Sequence, residues 1–434
     1  MNPAHTAGSP AVSKGAANWA LAVLFLANIF NQGDRILFGT VVDPIGRELQ
    51  IGDTQMSLAS GLLFVLFNLV GGVFIARFVD RGNRVRILAI GVAGWSLATA
   101  ATGLAQDFTT LALARVATGI GEATAFPAAM SLIPDLFRRE ARGKAVAIFQ
   151  SSSFIGIVGG TIIGGVLAAS IGWRNMFVYC GLAGLSVTAV LLLSVREPAR
   201  TDDAADHVPA AYWADLWGGC RRTLALPGFP ELLVGFGLAS MMTFVLAAWG
   251  PTFLLRSHAV PLAQVGIVIG PAVGLGGITG TLFSGFLADR MVARRGMVSD
   301  MLKVPMFAVP LALPFMAGFV FMPTLAGAMA CAAVMNFLLS CALPPAISFA
   351  VQSVSSRDRG IVSTIMLAAS GLIGGALGPF IVGGLSDLLE PRFGTDALRF
   401  AISSMLVSLP LGTLLLFLAW RRAARPVPTT LLHA

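Results

Sequence analysis

Twelve long apolar runs constrain the fold more than any other feature of this sequence. A helix that crosses a bilayer needs about 20 residues that are mostly apolar, and each run has about that length or more. The runs cover residues 17–40, 54–78, 85–105, 108–132, 142–170, 173–194, 229–256, 262–288, 299–322, 324–350, 358–388 and 395–420. Strands of a membrane β-barrel alternate apolar and polar side chains in units of about 10 residues, and these runs do not alternate. The sequence therefore predicts an all-α membrane protein with twelve transmembrane helices.

Composition excludes the soluble alternatives. Of the 434 residues, 56% are hydrophobic and 12% are charged, whereas a soluble protein has about 25% charged residues. Disorder requires high charge and few apolar residues, and an ordinary soluble enzyme could not cover its surface with so few charges. The four cysteines form no CxxC pair, so neither a zinc site nor a disulfide framework is indicated. We expect no metal, no cofactor and a chain that acts as a monomer.

The basic residues predict the orientation of the chain. With an even number of spans both termini share a side, and 21 of the 29 Lys and Arg residues fall on that side. The other side holds 5, and 3 lie in or at the edge of spans. Because cytoplasmic loops are enriched in Lys and Arg, we expect a multi-pass protein of the cytoplasmic (inner) membrane with both termini in the cytoplasm. The net charge of +8 is spread over short loops, which argues against a nucleic-acid partner.

The longest connection divides the chain into two halves of six spans. We expect an N-terminal half at 1–194, a cytoplasmic linker at 195–228 and a C-terminal half at 229–434. The second part of the linker, from Tyr212 to Arg222, has the composition of an amphipathic helix at a membrane face.

An internal repeat supports this division. Asp80 at the end of span 2 recurs as Asp289 at the end of span 8, 209 residues later. Arg142 before span 5 recurs as Arg359 before span 11, 217 residues later. The common order and the similar offsets indicate a parallel duplication.

Three short motifs resemble the major facilitator superfamily of secondary transporters. Asp80–Arg84 resembles the signature of the loop between spans 2 and 3, with Asn83 where a glycine is common, and Gly285–Arg290 is its copy in the second half. Arg115, Gly119 and Gly121 resemble the signature of span 4. The resemblance covers nearly the whole chain and implies the major facilitator fold of two six-helix halves.

Within the superfamily the sequence resembles the Spinster-like transporters. The segments that carry this resemblance are Gly33–Arg35, Asp53–Gln55, Gly119–Ala123, Gly172–Arg174 and Val195–Pro198. The chain is similar also to the anion:cation symporter family, which shares an Asp-Arg pair in span 1 and the Phe126-Pro127 pair in span 4. The Spinster-like resemblance implies lysophospholipid or sphingoid-phosphate cargo, chiefly in animal members.

Four ionisable residues lie deep in predicted spans, and all four belong to the first half. They are Asp34 and Arg35 in span 1 and Arg115 and Glu122 in span 4. An ionisable side chain inside a membrane is costly, which makes each of them a candidate for function. Asn31 and Arg35 are four residues apart and share a helix face, as do Arg115 and Glu122 at a spacing of seven. We expect Arg35 to reach toward Glu122 or toward a substrate anion.

The two carboxylates and two arginines balance in charge, which permits a protonation switch. If a helix movement separates a buried carboxylate from its arginine, the carboxylate takes up a proton. We expect Glu122 to be the first proton-coupling residue and Asp34 the second, and the Spinster-like resemblance implies the same roles. Asn31, Arg35 and Arg115 are expected to bind substrate or to gate the carboxylates. The structural alternative is a pair of ion pairs that lock spans 1 and 4 together.

The second half offers uncharged candidates for substrate binding or gating. Thr243 and Trp249 lie in span 7, where Pro251 is expected to bend the helix. Asn336 lies in span 10.

Charged residues at the span ends of the predicted cytoplasmic side form a candidate latch. These residues are Asp80, Arg81, Arg84, Arg142, Asp289 and Arg290. Pairs between neighbouring helix ends would hold one access state and break in the other. The alternative is that they anchor the topology by charge alone.

The predicted function is proton-coupled transport by alternating access, with a small amphipathic, anionic or lipid-like substrate. The four histidines are His5, His207, His258 and His433, and none lies deep in a span. No Ser–His or metal cluster can be assembled in the membrane, so an intramembrane enzyme is not expected. A lysolipid exporter, an organic-anion/proton symporter and a drug/proton antiporter remain alternatives. Protons, substrate and membrane lipid are the expected partners.

Overall fold

The computed structural model describes residues 13–200, 212–295, 297–355 and 358–423. The first half contains span 1 at Lys14–Thr40, span 2 at Asp53–Arg81 and span 3 at Arg84–Thr102. Span 4 comprises Phe108–Glu122 and Ala125–Leu136, and spans 5 and 6 form the continuous segment Arg139–Ser194. A short helix, Val42–Leu49, follows span 1.

The second half contains the other six spans. Span 7 is Phe229–Ser257, span 8 is Leu262–Arg295, and span 9 runs over Val298–Leu302, Lys303–Leu311 and Leu313–Phe321. Span 10 comprises Leu325–Ser340 and Leu343–Gln352, and span 11 comprises Arg359–Ala369, Ser370–Leu377 and Gly378–Phe393. Span 12 comprises Ala397–Ser403, Ser404–Val407 and Ser408–Ala423. Between the halves, the linker helix is Tyr212–Leu224.

The twelve predicted spans are confirmed in the described residues. Nine continuous helical stretches there are long and apolar enough to cross a membrane, and two of them, Glu140–Ser194 and Arg359–Ala423, each hold two spans. Span 1, Lys14–Thr40, is not one of these nine stretches and completes the twelve spans. It carries the charges of Asp34 and Arg35. Gly172 separates spans 5 and 6 with φ of 80°, a backbone conformation that suits glycine because it has no Cβ.

The described residues begin and end on one face of the bundle, which we call the terminal face. There Trp19, near the start of span 1, donates a hydrogen bond of 2.8 Å to Ser194 at the end of span 6. Gly228, before span 7, lies against the backbone of Ala419 near the end of span 12. The other end of the bundle, with Val42–Leu49 and the turn at Gly172, is the opposite face.

Toward the opposite face the two halves pack closely through small residues. A Cβ built on Gly39 of span 1 would lie 2.7 Å from the carbonyl oxygen of Ala247 in span 7. A Cβ on Gly266 of span 8 would lie 2.0 Å from the carbonyl oxygen of Thr161 in span 5. Larger side chains at these glycines would push the halves apart, because helices in a membrane approach this closely only where residues are small.

Spans 2 and 11 each contain a wider π-helical segment, which the sequence reasoning did not predict. The segments are Leu58–Leu63 and Ser370–Leu377. They face each other between the halves, since a Cβ on Gly61 would lie 3.4 Å from the carbonyl oxygen of Gly375. π-helical turns of this kind are frequent at functional sites.

Candidate functional site: a buried charge cluster

Arg35 and Glu122 form an ion pair that joins spans 1 and 4. The Arg35 Nε lies 2.6 Å from the Glu122 Oε2. The Glu122 side chain is 0% exposed, whereas the Arg35 side chain is 37% exposed. Of the two partners, only Arg35 is therefore accessible from outside the pair.

The helix of span 4 is interrupted immediately after Glu122. The segment Phe108–Glu122 ends there and the next begins at Ala125. Asn31, one turn before Arg35, uses its Nδ2 to donate a hydrogen bond of 3.4 Å to the backbone oxygen of Glu122. Span 1 therefore contacts both the side chain and the main chain of Glu122, so a movement of span 1 would act directly on this carboxylate.

Asp34 contacts span 3, whereas its neighbour Arg35 contacts span 4. Its Oδ2 accepts a hydrogen bond from the Thr99 hydroxyl of span 3, and its Oδ1 is buried with no hydrogen-bond partner among the described residues. Thr99 was not predicted, because a hydroxyl in an apolar span is common and has no distinguishing pattern. One oxygen of Asp34 therefore remains available to a proton.

Arg115 is buried against aromatic rings. It is 1% exposed, and its Cζ lies 4.7 Å from the centroid of the Phe38 ring and 4.8 Å from that of Phe64. Its Nε and Nη1 have no hydrogen-bond partner among the described residues. Aromatic faces attract a guanidinium. Phe38 and Phe64 therefore replace part of the favourable electrostatic interaction that water makes with an exposed arginine. Phe64 also lies 5.3 Å from the Arg35 Cζ, which places both arginines around one ring.

The candidate residues of the second half mainly tie helices together. The Trp249 Nε1 donates a hydrogen bond of 3.0 Å to the Pro379 backbone oxygen, linking spans 7 and 11. The Asn336 Nδ2 donates one of 2.7 Å to the Val273 oxygen, linking spans 10 and 8, while its Oδ1 has no partner among the described residues. Thr243 is half-buried. These contacts place Trp249 and Asn336 in helix packing, and neither shares a hydrogen bond with the Arg35–Glu122 pair among those described.

On the terminal face, the most buried residue of the candidate latch pairs within the first half. The Arg84 Nε lies 2.6 Å from the Glu197 Oε1, and its Nη1 contacts Asp135. Its Nη2 donates to the Pro198 oxygen at 3.0 Å. Arg84 therefore fastens the segment after span 6 to spans 3 and 4.

The other candidate latch residues also lie within their own halves. The backbone oxygen of Asp80 accepts a hydrogen bond from Arg200, and the Arg142 Nε donates one of 3.2 Å to the Phe137 oxygen. Arg81, Asp289 and Arg290 are exposed. In this conformation these residues make no pair between halves among the bonds described here, and the predicted latch stays a prediction.

A charged network on the opposite face joins the two halves, and the sequence reasoning did not identify it. The Arg256 guanidinium, at the end of span 7, contacts both oxygens of Asp53 at 2.7 and 2.9 Å. Its Nε donates to Asp43 at 2.7 Å. Asp387 of span 11 accepts bonds of 2.8 Å from the backbone nitrogens of Asp53 and Thr54, at the start of span 2. We call these contacts the opposite-face network.

A second pair on that face stays within the first half. The Arg174 Nε lies 2.7 Å from the Glu48 Oε1, and the Trp173 Nε1 donates to the Glu48 Oε2 at 2.6 Å. The hydrogen bond from Arg174, followed by that from Trp173, holds the pKa of Glu48 below its usual value. Trp173 and Arg174 therefore anchor the turn between spans 5 and 6 to the short helix Val42–Leu49. Both belong to the segment Gly172–Arg174, which carries part of the Spinster-like resemblance.

A bundle of twelve apolar helices with a buried charge cluster among spans 1, 3 and 4 is typical of a membrane transport protein. The family model of the Major Facilitator Superfamily matches residues 24–379, and the chain belongs to that superfamily. Within it, the chain is similar to Spinster-like transporters, and the family indicates a transporter and not an enzyme.

The relatives extend over different shares of the chain. An "MFS-type efflux pump" of Mycolicibacterium smegmatis is 30% identical over 416 residues, which are 94% of each chain. "Protein spinster homolog 1" of Homo sapiens is 33% identical over 259 residues, which are 57% of this chain and 48% of that protein.

Two solved structures of a bacterial homologue of the human lysosomal transporter Spinster share the fold. The inward-facing, unoccupied form matches with a TM-score of 0.86 at 26% identity, covering 96% of this chain and 100% of that one. The inward-facing, occupied form matches with a TM-score of 0.83 over the same shares. The twelve-helix major facilitator fold predicted from the sequence is confirmed.

Proposed function

We propose that this chain is a proton-coupled secondary transporter that moves a small amphipathic or anionic organic substrate across the cytoplasmic membrane by alternating access. The observation that carries the proposal is the pair of a fully buried Glu122 and a partly exposed Arg35. The charge bias of the sequence supports an orientation with both termini, and therefore the terminal face, in the cytoplasm. The protein is proposed to act as a monomer, with protons, substrate and membrane lipid as its partners.

The ion pair offers a direct route from substrate binding to proton uptake. A substrate anion that binds the exposed side of Arg35 competes with Glu122 for the guanidinium. A buried carboxylate without a counter-charge is costly and is stable mainly in its neutral form. Glu122 would therefore take a proton when substrate draws Arg35 away, and would release it when the pair re-forms.

Asp34 is proposed as the second proton-coupling group. It lies beside Arg35 in sequence, is 5% exposed and is held by Thr99 of a different span. Asp34 of span 1 is hydrogen-bonded to Thr99 of span 3, and Glu122 of span 4 is paired with Arg35 of span 1. A movement of span 1 therefore alters the environments of both carboxylates. Arg115 and the rings of Phe38 and Phe64 keep a positive charge near both carboxylates without occupying either one.

Alternating access is supported by the asymmetry between the two faces. The opposite-face network and the glycine contacts close the bundle at that end, which fits the likeness to inward-facing relatives. Opening the opposite face requires that Arg256 leave Asp43 and Asp53. The two π-helical segments, which meet at Gly61 and Gly375, are placed where the halves would rock against each other.

The cargo we favour is a lysolipid-like amphiphile, because the deep charges lie only in the first half and the candidate residues of the second half are uncharged. The Spinster-like resemblance of the sequence implies the same kind of cargo. A drug/proton antiporter is the second candidate, favoured by the efflux pump that matches 94% of the chain. An organic-anion/proton symporter, which the "Probable L-galactonate transporter" of Escherichia coli exemplifies by name, is the third.

Proton uptake in liposomes tests the proposal. Glu122→Gln should abolish substrate-dependent proton movement, because glutamine cannot accept the proton, and Asp34→Asn should reduce it. Glu48→Gln is the matched control, since Glu48 is a carboxylate of the same half that lies outside the spans and is 48% exposed. Coupling that is unchanged in both Glu122→Gln and Asp34→Asn would overturn the proposal.

A further inference from the structure

A groove on the outside of the second half has the shape and charge of a lipid site. Its wider part, of about 600 Å³, lies at the terminal face between the ends of spans 8, 9 and 12. Arg294 of span 8, Lys303 of span 9 and Trp420 of span 12 line this part. It is separate from the Arg35–Glu122 pair, which belongs to the first half.

The groove continues as a narrow apolar slot toward the middle of the membrane. The slot, of about 230 Å³, shares Lys303 and Phe307 with the wider part and extends along span 9 to Leu311. Eight residues of helix separate Lys303 from Leu311, which corresponds to about 12 Å. One leaflet of the hydrocarbon core is about 15 Å thick, so the slot has the length of most of an acyl chain in that leaflet.

Side chains at the slot already face lipid. Phe307 is 74% exposed, Leu311 is 57% exposed and Phe283 of span 8 is 50% exposed. In a membrane these surfaces are covered by acyl chains, so an occupant of the slot would enter it sideways from the bilayer. An amphiphile with its charged end at the terminal face fits this geometry.

The wide end of the groove is lined by basic side chains. The Lys303 Nζ lies 2.5 Å from Asp300 and 5.4 Å from the centroid of the Trp420 ring. With Arg294 exposed at the same rim, two basic groups line one cavity whose slot is apolar.

We propose that the groove binds an anionic phospholipid of the leaflet at the terminal face. The phosphate would lie between Arg294 and Lys303, and one acyl chain would lie in the slot along span 9. Two basic groups at the wide end favour an anionic over a zwitterionic headgroup, because a zwitterionic headgroup brings its own cation. The site is distinct from the Arg35–Glu122 pair and would act on span 9 and span 12 from outside the bundle.

Native mass spectrometry of the purified full chain, titrated with phosphatidylglycerol or with phosphatidylcholine of the same acyl chains, measures this preference. The first phosphatidylglycerol should bind several-fold more tightly than the first phosphatidylcholine. Arg294→Gln should weaken phosphatidylglycerol binding about fivefold, which is the value of about 1 kcal/mol per basic residue near anionic lipid. Ala308→Phe, which fills the slot and leaves the charges in place, should weaken binding of both lipids.

Arg86→Gln is the matched control, because Arg86 is an exposed arginine of the terminal face that lies in the first half. It removes the same charge and should leave both affinities within about twofold. Equal binding of the two lipids by the unchanged protein would overturn the proposal, and so would an Arg294→Gln protein that keeps its preference. Displacement of the first phosphatidylglycerol by a soluble organic anion at equal concentration would also overturn it, since it would assign the groove to a soluble ligand.

Discussion

The two faces of the bundle use the same chemistry for different purposes. On the opposite face, Arg256 of the second half contacts Asp43 and Asp53 of the first half. On the terminal face, Arg84 contacts Asp135 of its own half and Glu197 of the linker that follows span 6. These arginine–carboxylate pairs therefore join the two halves on the opposite face, and brace the first half and the linker on the terminal face. The first kind should control conformation, and the second kind should control stability.

The largest expected effect is the loss of stability in Arg84→Gln. Arg84 is 2% exposed and binds two acidic side chains and two backbone oxygens. Removal of one member of a buried ion pair typically destabilises a protein by about 3–5 kcal/mol, because the remaining charge stays in a poor environment. A thermal unfolding scan in detergent should show a clear fall in the midpoint, and the yield of monodisperse protein should drop.

Arg86→Gln is the control for this prediction, since Arg86 is exposed two residues away. It should leave the midpoint within experimental error. If the Arg84→Gln and Arg86→Gln proteins unfold at the same temperature, the prediction that Arg84 stabilises the protein through Asp135 and Glu197 is wrong.

Arg256→Gln is expected to change conformation more than stability. The variant loses charge-assisted hydrogen bonds to Asp43 and Asp53, each worth about 1.5–3 kcal/mol. A net loss of about 2 kcal/mol would shift the balance between closed and open opposite faces about thirtyfold toward the open one. Spin labels at Leu104 and Leu388, which are 70% and 73% exposed near that face in different halves, should report a longer distance population.

The neighbouring Arg47→Gln supplies the comparison for Arg256→Gln. Arg47 contacts Asp43 at 2.9 Å, but both residues lie in the short helix after span 1, and Arg47 is 74% exposed. Its loss should leave the distance distribution unchanged. An Arg256→Gln protein with the distribution of the unchanged protein would contradict the assignment of the opposite-face network as a gate.

The architecture was predictable because it is determined by the lengths of apolar runs. The twelve predicted spans agree with the observed helices, and the Arg35–Glu122 contact follows from the rarity of charges inside a membrane. The π-helical segments Leu58–Leu63 and Ser370–Leu377 were missed. They depend on packing between the halves, which leaves no period in the sequence.

The rest of the site could not be predicted for two physical reasons. The partners of Arg115 are two rings among 29 phenylalanines, and nothing in the sequence distinguishes Phe38 and Phe64 from phenylalanines that face lipid. Arg256 and Asp53 are 203 residues apart and lie at span ends, where charges are ordinary. Deep charges can be found from sequence because they are costly, whereas charges at the membrane surface acquire meaning only from the fold.

The smallest expected effect concerns Glu48, whose pair with Arg174 lies on the opposite face but within one half. The pKa of Glu48 is lower in the folded protein than its usual value. The pair with Arg174 therefore stabilises the folded protein at pH values above that usual pKa of about 4.3. The contribution is lost as the pH falls through the lowered pKa. Glu48→Gln should therefore unfold slightly earlier than the unchanged protein at pH 7, and the gap should close below about pH 4. The Leu104–Leu388 distance should not change at either pH, since Arg174 and Glu48 move together; a shift there would show that pairs within one half also control the gate.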